Sequence, residues 1–113
     1  MTLVWQGFRT LPGVGGKKRP VVVVQADTYN LSLRHLIVAE VTTNRAAASD
    51  IANLPIDIST IEGQATGLIQ DSVVTCLHLV TMSEDRISKV IGRLSDSLLQ
   101  RIDDCLKAAL GLS

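Results

Sequence analysis

The sequence predicts an α+β fold, mainly β: a strongly curved antiparallel sheet or small barrel carrying one C-terminal helix. Two short apolar runs, "PVVVVQ" at 20–25 and "HLIVAEV" at 35–41, are rich in β-branched residues and bounded by turn signals. The segments joining the strand-like runs are of hairpin length and hold no crossover helix. Near the end, Leu98, Leu99, Ile102, Cys105, Leu106, Ala109 and Leu110 recur at helical spacing.

Each element follows from its residues. "TLVWQ" at 2–6 reads as a short strand, and "GFRTLPGVGGKK" at 7–18 as a loop, because Pro12, Gly13, Gly15 and Gly16 break regular structure. Pro20 stands at the first position of the valine strand, where a missing N–H is tolerated. A turn-prone patch follows from Asp27 to Asn30. "TTNRAAASDIAN" reads as a loop. "LPIDI" at 54–58 alternates and contains Pro55, which marks an edge strand. "GLIQDSVVTCLHLVT" at 67–81 gives one long strand or two broken ones, "MSEDRIS" a helical turn, and "KVIGRL" a last strand. Ser95 suits the N-cap of the final helix, Asp96 its first turn, and Gly111 its C-cap.

The chain of 113 residues fits one domain, 1–113, long enough to bury a core without disulfide or metal. One Trp, one Tyr and one Phe argue against an aromatic platform for stacked bases. Cys76 and Cys105 lack metal-type spacing and read as free or buried thiols in a reducing compartment. No apolar run approaches the length of a membrane span, and no signal peptide is legible, so a cytoplasmic protein is expected. His35 and His78 lie far apart without supporting ligands, so neither metal nor cofactor is expected. The net charge of zero conceals an asymmetry. Residues 1–45 carry six basic against two acidic residues, and residues 46–113 carry five against nine. A basic N-terminal region meeting an anion and plain scatter in a small sample explain this equally well.

The chemistry centres on "KKRP" at 17–20, where three cations run into the valine strand. Antiparallel pairing of 20–25 with 35–42 sets the start of one strand beside the end of the other. Arg19 then lies near Thr42, Thr43 and Asn44. A guanidinium matches phosphate oxygens bidentately, hydroxyls donate to further oxygens, and Lys17 and Lys18 attract a polyanion without reading its sequence. Taken singly, an Arg before a strand is ordinarily a solvated flank, and threonines at a strand end reflect β-propensity.

In order and spacing, "KKRPVVVVQADTYN", "LIVAEVTTN", "TGLIQDSVV" and "VIGRLSDSLLQRIDDCLKAALGL" resemble the MazF/PemK-type toxins of type II toxin–antitoxin modules, from Lys17 to Leu112. The resemblance implies a homodimer of small SH3-like barrels with a C-terminal helix. It implies a metal-independent endoribonuclease that cuts single-stranded RNA at short motifs, including mRNA. There the 2′-hydroxyl attacks the adjacent phosphorus, leaving a 2′,3′-cyclic phosphate and a 5′-hydroxyl. The family's essential Arg and Thr fall on Arg19 and Thr42, while Thr43 and Asn44 help to position RNA. The partner implied is a cognate antitoxin with an acidic, disordered segment lying over the cationic groove.

The chain departs from the family pattern twice. The loop before Arg19 lacks the usual acidic residue, and none precedes Asp27. His78 stands where a Gln is usual and Val80 where an Arg is usual. His78 reads either as a half-buried strand histidine or as a proton acceptor or contact to an RNA base. These departures leave an alternative: an impaired MazF-like or CcdB-like protein that binds gyrase, RNA or antitoxin without cleavage. A small barrel used only for assembly would leave the cationic rim unexplained.

Overall fold

The computed structural model describes residues 4–9, 18–24, 35–83 and 87–112, with the backbone alone for 4–9, 18–19 and 87–91. Its strands are β1 (Val4–Arg9), β2 (Lys18–Val23), β3 (His35–Thr42), β4 (Asn53–Ile56), β5 (Ser72–Ser83) and β6 (Ile87–Arg93). Its helices are a 3₁₀ turn (Arg45–Ser49), a short α1 (Ile61–Ala65) and a long α2 (Asp96–Leu110). The six strands form one sheet in the order β4-β5-β3-β2-β1-β6. Every pairing is antiparallel. The expected curved sheet with a C-terminal helix is present, left open between its edge strands β4 and β6.

Two expectations need correction. The first strand reaches Arg9, so Gly7, Phe8 and Arg9 are strand rather than loop. Pairing with β2 on one side and β6 on the other holds this segment extended and outweighs the weak strand preference of glycine. The β1–β6 register shifts between Gly7 and Phe8, where an irregular strand tolerates a glycine. The helical turn expected across "MSEDRIS" is corrected at its two ends: Met82 and Ser83 end β5, and Ile87 and Ser88 begin β6, while 84–86 lie outside the described residues. Met82 and Ser83 pair with β3 and Ile87 with β1, so β-ladder hydrogen bonds outweigh local helix preference there. The turn from Asp27 to Asn30 and the loop at 10–17 lie outside the described residues.

The main core lies between the sheet and α2. Val22, Ala39, Val41, Leu54, Val74 and Cys76 meet Leu98, Ile102 and Cys105. The helix forms because its apolar positions fall on one stripe and both ends are capped. The Ser95 hydroxyl accepts from the Leu98 N–H at 3.1 Å and donates to Glu62 at 2.8 Å, tying α2 to α1. Gly111 ends the helix at φ 70°, and its N–H donates to the Lys107 carbonyl. The opposite face of the sheet has a smaller cluster of Val21, Val23, Leu36, Val38 and Met82. β5 is one continuous strand, but it is bent. Thr75 faces Glu40 and Leu79 faces Ala39, leaving residues 76–78 without β3 partners. Such bulges add twist and re-aim side chains.

Candidate active site

The β2–β3 register decides which predicted residues meet. Val21 pairs with Glu40, Val22 with Ala39 and Val23 with Val38. The ladder stops before Pro20, which has no N–H to donate. Arg19 and Thr42 each lie two residues beyond the last pair, Val21–Glu40, at the same end of the β2–β3 ladder. On its other side β2 pairs Arg19 with Phe8 and Lys18 with Arg9. Arg9, which the sequence reading left unassigned, thus joins the cations at this end of the sheet. Lys17 lies outside the described residues.

At the end of β3 the side chains are tied to the backbone. The Thr42 Oγ1 accepts from the Asn44 N–H at 3.1 Å, and the Asn44 Oδ1 accepts from the Ala46 N–H at 3.1 Å. Asn44 is therefore the N-cap of the 3₁₀ turn within a segment expected to be a loop. These bonds fix the exit from β3. Because Oγ1 is used as an acceptor, the hydroxyl proton of Thr42 is left to donate to an anion. Thr43 and Asn44 are exposed beside it.

His78 is not the half-buried histidine of the ordinary reading. It lies in the β5 bulge with 67% of its side chain exposed, and its Nδ1 is 3.6 Å from the Glu40 Oε2. Buried strand segments rarely hold a carboxylate, and Glu40 interrupts the run "LIVAEV". That interruption was the sequence signal for Glu40, which pattern reading passed over.

A cleft of about 260 Å³ opens elsewhere, lined by Arg45, Asp57, Thr60, Glu62, Asp71 and Arg101 among others. Most of its polar groups are engaged with one another. Asp71 accepts from the Ile58 N–H at 3.0 Å and meets Arg45 at 3.6 Å. Asp57 accepts from the Ser59 hydroxyl at 2.7 Å, and that bond, with the Ser59 N–H, holds its carboxyl below the usual range. Thr60 caps α1, and Glu62 receives the Ser95 hydroxyl. The cleft latches the excursion between β4 and β5, and Thr42 is not part of its lining.

Cys76 and Cys105 are free and buried. Burial, then the neighbouring Cys105, pushes the Cys76 thiol up to about 12, which makes it inert as a nucleophile. Among the described residues, no three His, Cys, Asp or Glu side chains gather as a metal site.

A curled antiparallel sheet, one capped C-terminal helix and a cationic strand end define a small, mainly β domain. The profile of the PemK-like, MazF-like toxins of type II toxin–antitoxin systems matches residues 3–110, and the chain belongs to that family. It is 35% identical over 97 residues to endoribonuclease MazF6 of Mycobacterium tuberculosis and to endoribonuclease MazF2 of Mycobacterium bovis. Those alignments span 85% of this chain and 81% of each relative. Among solved structures, the M. tuberculosis toxin MazF-mt6 superposes with a TM-score of 0.77 at 24% identity, covering 96% of this chain and 97% of that one. A mycobacterial endoribonuclease in complex with its cognate antitoxin gives a TM-score of 0.77 at 20% identity, covering 96% and 93%.

Proposed function

We propose that the chain is the toxin of a type II toxin–antitoxin pair and a metal-independent endoribonuclease that cuts single-stranded RNA at a short sequence motif. Family membership over residues 3–110 carries this reading, and the curated relatives at 35% identity are named endoribonucleases. That identity favours cutting over binding without cleavage.

Arg19 and Thr42 form the catalytic pair in this proposal. Arg19 stabilises charge that grows on the phosphate in the transition state, and Thr42 donates its hydroxyl to a phosphate oxygen. Lys17 and Lys18 draw in the polyanion, Thr43 and Asn44 hold RNA beyond the scissile bond, and His78 contacts the bound RNA. The β2–β3 register supports the pairing. The 2′-hydroxyl attacks the adjacent phosphorus and the 5′-oxygen leaves. No residue in these assignments needs a metal.

We further propose a homodimer, a cytoplasmic location and a cognate antitoxin whose acidic segment covers the cations. Two free thiols suit a reducing compartment. Among the described residues no helix is long and apolar enough to cross a membrane.

The test is incubation of purified protein with mixed-sequence single-stranded RNA in EDTA, with Arg19→Ala beside it. Cleavage by the wild type should leave 5′-hydroxyl ends. The variant should lose roughly 10²–10³-fold in rate, the scale for removing one transition-state donor, with unchanged circular dichroism. Full activity in Arg19→Ala would remove the assigned pair.

A further inference from the structure

Attack by a 2′-hydroxyl requires a group to take its proton, and neither residue of the assigned pair can do so. A guanidinium stays protonated at any working pH, and a threonine hydroxyl is not a base. The same face of the sheet holds a group that can. Glu40 and Thr42 are two residues apart on β3, so they share a face, separated by about 6.6 Å of strand rise. Val21 pairs with Glu40, which puts Arg19, two positions earlier, on that face as well. The β5 bulge then brings His78 to Glu40, Nδ1 to Oε2 at 3.6 Å, with 67% and 46% of the two side chains exposed. A contact this open to solvent contributes little to folding and stays accessible to a ligand.

The orientation is chemically specific. A carboxylate facing Nδ1 favours the tautomer with its proton there, leaving the Nε2 lone pair directed away from Glu40. The same carboxylate stabilises the imidazolium once Nε2 has taken a proton. Histidine is also the side chain whose unperturbed titration falls nearest neutrality.

We propose that His78 is the general base of the cleavage reaction and that Glu40 is its positioning residue. This rests on the ribonuclease reading above and adds to it the missing proton acceptor. His78 Nε2 takes the 2′-hydroxyl proton as the 2′-oxygen–phosphorus bond forms and the phosphorus–5′-oxygen bond breaks. The 5′-oxygen takes a proton from water, and the imidazolium neutralises the hydroxide left behind, so no proton is gained or lost overall. Among the described side chains of β3 and β5, the charged group that faces His78 is Glu40, and Arg19 of β2 lies on that face by register. The paired residues of β4 include no titratable group, and the other titratable residue of β5 is the core thiol Cys76.

The test is single-turnover cleavage of single-stranded RNA in EDTA between about pH 5 and 9, around the histidine range. Wild type, His78→Gln, Glu40→Gln, Glu40→Asp and Arg19→Ala are compared after circular dichroism shows each folded. The wild-type rate should rise with pH through one near-neutral ionisation and then level off. His78→Gln should lose about 10²–10⁴-fold in rate and also lose that ionisation. Glu40→Gln should lower the single-turnover rate at saturating RNA without weakening RNA binding, and Glu40→Asp should restore part of the rate. A merely structural Glu40 would not divide rate from binding in this way. If His78→Gln cleaves within about threefold of wild type, with the profile unchanged and Arg19→Ala inactive, the dyad is overturned alone. A wild type that cleaves no RNA overturns the ribonuclease reading together with the dyad.

Discussion

Alternate residues of β3 face opposite sides of the sheet. Ala39 and Val41 enter the core beneath α2, whereas Glu40 and Thr42 lie on the other side. The helix-covered side is closed and apolar, and even its two thiols are buried. On the other side, Val21 and Val38 form a small apolar floor that gives way to Glu40, Thr42 and His78 at the strand end. The contrast shows how one strand pair serves two purposes. Rigidity comes from the packed face, and it positions the polar groups of the open face without those groups having to stabilise the fold.

The comparison breaks most easily on the packed side. Ile102 is 0% exposed in the core that α2 forms with β4 and β5. Ile102→Ala should cost about 2–5 kcal/mol, read as a lower urea midpoint at unchanged slope. RNA cleavage per folded molecule should be retained. A loss of cleavage in protein shown to be fully folded would mean that the two faces are coupled.

A smaller effect should come from the buried thiols. Burial raises the Cys76 thiol to about 12 and raises Cys105 as well. A folded-state value above the unfolded one means the folded chain holds its proton more tightly. This stabilisation is complete below the ordinary thiol range and is lost as pH rises toward the folded value. Thermal unfolding temperatures should therefore fall between about pH 9 and 11 more steeply in the wild type than in Cys76→Val. Parallel curves would show that the thiol is not held neutral by the core.

How much of this was legible in the sequence depended on how local each signal was. The C-terminal helix was readable end to end, because Ser95, Gly111 and the apolar stripe are contained within one segment. The valine strand and "HLIVAEV" were readable for the same reason, and so was their antiparallel pairing, which leaves Arg19 and Thr42 at the same end of the ladder. What escaped was set by pairing between distant segments. Gly7-Phe8-Arg9 is extended because β2 and β6 flank it, and "MSEDRIS" supplies the ends of two strands. The Glu40–His78 contact depends on a bulge, and no periodicity in the β5 sequence marks where its register jumps. The short helix α1 begins at Ile61, capped by Thr60, and its five residues are too few for a helical repeat to show.

The smallest expected effect is also the most discriminating. A His78–Glu40 contact at 3.6 Å between largely solvated side chains belongs to the class of exposed ion pairs, for which salt and side-chain entropy cancel most of the attraction. His78→Ala should change unfolding stability by at most about 0.5 kcal/mol, measured by urea denaturation at neutral pH. On the packed face, removing a side chain costs stability and should spare chemistry. At His78 the order is reversed, with chemistry lost and stability kept. A stability loss of about 2 kcal/mol or more in His78→Ala would place this histidine among the fold's supports. The open face would then be doing structural work that its exposure does not account for.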